Sequence, residues 1–466
     1  MSTASPRIDP TRLAGPAREA WCVGAATAAV ARARAAGASA AEAAVDSGRS
    51  LSVRVSGGEI ESLRQSATRE LGLRVLVEGR IGFVSSNDLG AAALDGLARR
   101  AVALARHSTP DPANGLPDAA DTGGDAPDLG LVDPALLELG AVDAIDMALR
   151  LERAALGFDP RVRRVEVAAV SRSDASVALA NSDGLVRASS ATGISAFVQP
   201  LADDRDGKQQ SGSFGSEQRS LAALPDLEWM AGEAARRAVA RIGARPVPTA
   251  RAPVVMHPDI ARAWLEEMYG AFTGSAVVKR ESWLAGRLDT AIASALVTLV
   301  DDGRRPAAVG TSAWDAEGVP TRRNVLIDRG RLAMFEYDSY WARRAGTRTS
   351  GNAARAGALP GVGYHNLILE AGGESPEQIL ARIDRGFFMD DQGSYGFNSV
   401  TGDYSFQAQG FWIEKGAKAY PVEGVTVAGR SLDMLRGIVG VGNDLRLDGA
   451  VASPTLMIAE MTVGGS

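Results

Sequence analysis

At 466 residues the chain is too long for one ordinary hydrophobic core, and its 45% hydrophobic content excludes a disordered polypeptide, so two or more packed domains are expected. The formal net charge of −6 excludes a nucleic-acid binder with a broad basic face. A single cysteine, Cys22, excludes an internal disulfide framework and fits a reducing cytoplasm.

The opening "MSTASPRIDPTRLAG" lacks the apolar stretch of a signal peptide, and no run approaches the length of a membrane span; a cytoplasmic protein with no membrane partner is expected. Alanine-rich residues 18–36 predict a helix that stops near Gly37. In "LSVRVSGGEIESL" the residues Leu51, Val53 and Val55 alternate with polar neighbours, which predicts a half-buried strand turning at Gly57-Gly58. "LGLRVLVEGRIGFV" repeats the device around Gly79, and Asn87 or Asp88 is placed to cap a helix striped by Leu94, Leu97, Ala101 and Leu104. Residues 108–131 are dense in proline, glycine and aspartate and predict a linker without a packed core of its own. The order then recurs. A helix from Asp133-Pro134, with Val142, Ile145 and Leu149 in register, precedes strands at 165–170 and 177–180 joined to a turn at "NSDG", a polar glycine-rich stretch and a helix over 226–242. Helix, strands and helix, twice, predict an internally duplicated α+β unit over residues 1–245.

From residue 246 to 466 the character is mainly β, after one helix in "ARAWLEEMYGAFTG". Hairpins are predicted at Asp328-Arg329-Gly330 and Glu414-Lys415-Gly416, and strands so dense in turns close into a barrel or sandwich to hide their edges. The fold class expected is therefore α+β, with a mostly β C-terminal domain.

Chemistry is scarce in this sequence. A hydrolytic zinc site needs three protein ligands and an open position, and the three histidines, His107, His257 and His365, stand apart with no metal-binding spacing. Cys22 lies in the first helix and reads as a small core residue. No G-x-S-x-G occurs, Ser275 and Lys279 are one residue too far apart for S-x-x-K, and "GVGNDL" holds half of a dinucleotide fingerprint. Glu266 and Glu267 are helical neighbours about 100° apart and form no working pair. Asp301-Asp302 and Asp390-Asp391 read as solvated turn acids, and Tyr404 and Trp412 as strand residues turned to the core.

"EGVPTRRNVLIDRGRL", "DSYWARRAGTRTSGNAA", "NSVTGDYSFQAQGFWIEKGAKAYPVEGVTVAG", "DMLRGIVGVGNDL" and the ending "SPTLMIAEMTVGG" together resemble the TldD/PmbA family, once called modulators of DNA gyrase. The resemblance implies one of two kinds of subunit. The TldD-like kind is similar to a zinc peptidase, with His-Glu-x-x-x-His on a helix and a C-terminal cysteine as ligands. The PmbA or TldE kind lacks those ligands and pairs with the first in a heterodimer that cleaves peptides, including leader peptides of modified peptide antibiotics. Here no histidine lies between Pro258 and Gly274, and "GNDLRLDGAVASPTLMI" runs to the last strand with no cysteine-bearing insertion.

The resemblance therefore implies the non-catalytic kind: no catalytic or metal residue and no cofactor in this chain, zinc in a TldD-like partner, extended peptides as substrates, and no direct contact with nucleic acid. Trp264, Leu265 and Met268 stand on the helix that holds the ligands in the other kind. Asn352, Asn398, Thr401, Gly402 and Asp403 are the candidates for lining the peptide cleft or subunit boundary, against the plainer reading that such residues build tight turns. Two alternatives stay open: a stand-alone peptide-binding or maturation factor, and a modulator of gyrase acting by protein contact.

Overall fold

Small apolar side chains alternate with polar ones along β1 (Ala40–Ser56), and this alternation lets one strand carry the cores of two helical layers. The computed structural model describes residues 13, 15–124, 127–355, 359–393 and 396–465. The first unit is α1 (Gly15–Ala35), β1, β2 (Glu59–Val77), β3 (Arg80–Ser86) and α2 (Ala91–His107). The second is α3 (Ala141–Phe158), β4 (Val162–Asn181), β5 (Val186–Asp203), β6 (Gln209–Ser211), β7 (Phe214–Gln218) and α4 (Leu227–Ala240). Both units share one sheet in the order β3-β2-β1-β4-β5-β6, with β7 beside β5. The duplication meets at the antiparallel β1–β4 seam, where Gly48 lies opposite Ala175. Ala41, Ala43 and Val45 pack into the core of α1 and α2, and Leu51, Val53 and Val55 into that of α3 and α4. All four helices therefore cover one face of the sheet.

The two units share one packing device. Gly82 of β3 lies so close to α2 that an added Cβ would sit 2.1 Å from the Ala101 carbonyl oxygen. Gly212, just after β6, repeats this against α4, 2.2 Å from the Ala234 carbonyl oxygen. Only glycine lets strand and helix backbones approach so closely.

Some expectations need correction. The strands expected at 165–170 and 177–180 are one strand, because the polar stretch between them lies at the buried seam: Asp174 is 3% exposed and ion-paired to Arg18, at 2.6 Å, and to Arg172, at 2.7 Å. The helix expected from Asp133 is broken into Pro134–Glu138 and α3, and Val142 faces solvent. Helix α2 is capped by Gly90 without a side-chain bond, while Asp88 accepts from the Gly90 N–H at 3.0 Å. Residues 108–131 carry no helix or strand among the described ones, yet they are fastened as a strap: Asp111 accepts from the Tyr340 hydroxyl at 2.9 Å and the Ala113 carbonyl from Arg343 at 3.0 Å.

The C-terminal half closes a five-stranded barrel from β8 (Ala250–Met256), β9 (Arg385–Gln392), β10 (Asp403–Glu414), β11 (Ala417–Arg430) and β12 (Leu456–Gly464). The ring runs β9-β8-β12-β11-β10 and returns to β9. Closure removes the exposed edges that such a set of hairpins would leave. Helix α5 (Pro258–Met268), between β8 and β9 in sequence, buries Ile260, Trp264, Leu265 and Met268 in the same core. A smaller sheet of Leu299–Asp302, Arg323–Asp328, Arg331–Leu332, Leu367–Leu369 and Val451–Ala452 completes the domain. It sits against the face of the N-terminal sheet that no helix covers, where buried Glu42 pairs with Arg74 at 3.1 Å and with Arg355.

Candidate functional site

Helix α5 begins at His257, whose backbone is extended and whose ring Nδ1 accepts from the Asp259 N–H at 3.2 Å; Pro258 takes the first helical position, where no N–H is needed. The imidazole is thus used as a cap. Burial, the larger influence, pushes its pKa down, against the pull of Asp259. Counting five residues on, the spacing of the second histidine in a zinc helix, reaches Arg262, whose Nε lies 3.6 Å from Asp259.

Asp259 is the centre of the cluster. It takes Arg237 from α4 at 2.8 Å and Arg446 from the segment before the last strand at 3.7 Å. Both guanidinium groups also lie over the ring of Phe214 from β7, 5.4 and 5.0 Å from its centroid. Burial works to raise the Asp259 pKa, but His257 and the arginines win and hold it far below the usual carboxylate range. The segment of Arg446 and the start of α5 are the two places examined above for zinc ligands, and the fold brings them together. What meets there is one carboxylate and three guanidinium groups. Among the described residues no group of three His, Cys, Asp or Glu side chains could hold a metal ion. A divalent cation at Asp259 would face positive charge on three sides, so these residues do not fit one.

The same place fastens the two halves of the molecule. Ser216 donates to Asp448 at 3.0 Å, the Glu217 N–H to the Asp448 carbonyl at 3.1 Å, and Gln218 to the Leu447 carbonyl at 2.9 Å. Sequence reasoning missed this cluster because its parts come from four separated segments. The one signal was Arg446 itself, in the stretch noted for its missing cysteine.

A second feature is a cleft of about 490 Å³ between the sheet and the C-terminal domain. Its floor includes Ala44, Phe83, Leu179 and Arg187, and its roof Trp314, Asp315, Arg355 and His365. Behind the roof lies a nest of buried carboxyl groups. Asp301 accepts from Asn352 at 2.7 Å and from the His365 N–H at 2.8 Å; Glu336 accepts from the Tyr269 hydroxyl at 2.6 Å and from Asn324 at 3.2 Å. Burial, then the charge of Asp301, drives the Glu336 pKa well up, and burial raises Asp301 too, so the pair retains a proton. Neither side chain has accessible surface. The nest supports the cleft without meeting a ligand. Burial, then Glu317, likewise pushes Asp315 up to about 8 and Asp338 up to about 7.

Asp301 is thus a buried strand residue, contrary to the solvated turn expected of it, because Asn352 and the His365 N–H replace its water. Asp390 and Asp391 lie in β9 and clamp Arg241 at 3.0 and 2.7 Å, again instead of standing free in a loop. The five candidates for the cleft or boundary do not come together. Asn352 is fully buried beneath the roof. Asn398, Thr401, Gly402 and Asp403 build one turn before β10: Asn398 Oδ1 accepts from the Val400 and Thr401 N–H groups, and Thr401 donates to Asp403 at 2.6 Å. Tyr404 and Trp412 are core residues, and Cys22 is buried in α1.

A duplicated α+β sheet clasping a five-stranded barrel defines a two-part architecture, and comparison with known proteins places it. Family profiles described as PmbA/TldA metallopeptidase domain 1, central domain and C-terminal domain match residues 41–105, 134–242 and 249–465. The metalloprotease PmbA of Escherichia coli O157:H7 is 31% identical over 425 residues, covering 91% of this chain and 92% of that protein. A protein named as a modulator of DNA gyrase, from Bacteroides thetaiotaomicron, superposes with a TM-score of 0.88 at 25% identity, over 97% of this chain and 100% of that one. TldE from Thermococcus kodakarensis has the same fold, with a TM-score of 0.85 at 23% identity over 94% and 99% of the two chains. The chain belongs to the PmbA/TldD metallopeptidase family.

Proposed function

We propose that this chain is the metal-free member of a two-subunit peptidase, pairing in the cytoplasm with a TldD-like subunit that carries the zinc and cleaves unfolded or leader-bearing peptides. The observation that carries the reading is the cluster at the start of α5. Where the zinc helix of the other subunit kind needs neutral imidazoles, this chain has a capping His257, a paired Asp259 and the guanidinium groups of Arg237, Arg262 and Arg446. Arginine carries no lone pair for a metal and stays charged at any physiological pH. The contribution of the chain to such a complex is then binding and positioning of the peptide and of the catalytic partner. The exposed turn 398–403, with Val400 at its tip, is a candidate contact for that partner.

The test measures zinc content and peptide cleavage for the chain alone, for a TldD-like protein from the same organism, and for the mixture. Cleavage by the mixture, abolished by a chelator, and no stoichiometric zinc in the lone chain are expected. Chelator-sensitive turnover by the lone chain would falsify the proposal.

One observation favours the second reading, a stand-alone peptide-binding factor: the cleft is already walled by two halves of the same chain. Titrating the lone chain with a fluorescent extended peptide separates the two. Tight binding without partner, combined with no stimulation of a TldD-like protein, favours the stand-alone factor. Modulation of gyrase rests on a relative's name, and the net charge of −6 gives no support for direct contact with DNA.

A further inference from the structure

The strand β2 is longer than its outer neighbour. β3 pairs only with Leu71–Val77, and among the described residues no strand pairs with the outer side of residues 59–70. This stretch, about 40 Å of extended chain, is paired on its inner side with β1 as far as the Gly57-Gly58 turn. Every residue in it except Ser62 is exposed, including Ile60 at 50% and Leu63 at 42%. Proteins usually blunt such an edge with lysine, proline, a short strand or a cover. None of these guards residues 59–70, whose sequence is "EIESLRQSATRE".

The charges on this edge read as complementary to themselves. In an antiparallel pairing about a two-fold axis at Gln65, Glu61 of each copy lies opposite Arg69 of the other, Leu63 opposite Ala67, and no like charges meet. Moving the register by one residue sets Glu59 against Glu70, and by two sets Arg64 against itself. Directly opposed like charges destabilise a sheet, so one register is selected. We propose that two copies of this chain associate through the β2 edge in this register, running the two N-terminal sheets into one. The inference is independent of whether a TldD-like partner exists.

Cysteine chemistry tests it with the full chain. Cys22 is fully buried, and burial pushes its thiol up to about 11, so it stays silent. Gln65→Cys places two thiols opposite each other across the axis, within disulfide reach of directly paired strand residues. Treatment with diamide is expected to give a cross-linked dimer for Gln65→Cys and none for Ser62→Cys, whose two copies lie far apart along the ladder. Light scattering of the unmodified protein is expected to show a dimer that Glu61→Arg loosens about tenfold and that adding Arg69→Glu restores. A monomer at all concentrations, equal cross-linking at positions 62 and 65, or a dimer indifferent to Glu61→Arg overturns the proposal. So does a chain that uses this edge only with a TldD-like protein.

Discussion

The two outer edges of the N-terminal sheet come from the same unit used twice, and they meet opposite fates. In the first unit β2 runs past β3 and leaves residues 59–70 bare. In the second, β5 is followed by β6 and β7, and β7 is tied to residues 447–448 of the C-terminal domain. The arginine cluster around Asp259 sits on the tied side, built from Phe214 of β7 and Arg237 of α4. Duplication thus supplies one framework twice and leaves its edges to diverge, one holding the domain at the former metal position and the other facing outward.

The largest effect is expected where the halves join. Arg18 and Asp174, 1% and 3% exposed, form a buried pair across the seam between α1 and β4. Burial works to raise Asp174, and the hydrogen bonds of Arg49 and Arg18 bring it below its ordinary value. Arg18→Ala removes one partner from a buried carboxylate, a change that costs about 3–5 kcal/mol. Urea unfolding followed by far-ultraviolet circular dichroism should show that loss. A change below about 1 kcal/mol would mean that Arg49 and Arg172 alone hold the seam.

Next in size is a matched pair of changes. Gly82→Ala and Gly212→Ala each push a Cβ into helix backbone, at the Ala101 and Ala234 carbonyls. Overpacking of this kind costs about 1–3 kcal/mol. If the two units remain equivalent in packing, the two losses agree to within about 1 kcal/mol. If the C-terminal domain braces the second unit, Gly212→Ala is the milder of the two. Differential scanning calorimetry of both variants decides which.

Much of this architecture is legible in the residues, for a physical reason. Strand periodicity shows wherever one face is buried and the other wet, as in Leu51, Val53 and Val55, and the turn residues at 57–58, 181–184 and 414–416 mark the hairpins. The pattern fails where polar groups are buried with their partners. Residues 171–176 look like a break between strands because Asp174 is satisfied by arginines from elsewhere in the chain. Asp301 and Asn352 look like turn residues and are instead each other's solvation. The Asp259 cluster draws on positions 214, 237, 259 and 446, and no local spacing records such a meeting.

The buried acids give the two halves opposite responses to pH. Asp174, depressed in the folded state, contributes stability above its unfolded pKa that is lost as the pH falls through the folded value. Asp338 is raised to about 7, by burial first and Glu317 second, so its contribution is complete below its unfolded value of 3.8 and is lost as the pH rises through about 7. Asp338 caps the helix Ser339–Ala345 by accepting from the Trp341 N–H at 2.7 Å, and asparagine caps equally well without a charge. Asp338→Asn is therefore expected to flatten the fall in stability between pH 6 and 9, by about 2 kcal/mol at the upper end. Denaturant midpoints across that range check it. A parallel fall in the variant and the unmodified protein would assign the alkaline loss to Asp315 or to the Asp301–Glu336 pair.

The smallest effect is expected at the bare edge, and its smallness is the point. Leu63 is 42% exposed and lies at the unpaired side of β2, whereas Ile194, on the tied side, is 1% exposed within the core of α3 and α4. Truncating Ile194 to alanine empties packed space and costs about 2–5 kcal/mol. Leu63→Ala removes side-chain surface already in water, and within a single chain it costs about 0.5 kcal/mol or less. Unfolding of the Leu63→Ala chain at high dilution measures that term alone. At higher concentration Leu63 faces Ala67 of the second copy in the register proposed above, so the same substitution should then lower the midpoint further. A loss that does not change with concentration would mean that this edge, unlike its counterpart, carries no contact at all.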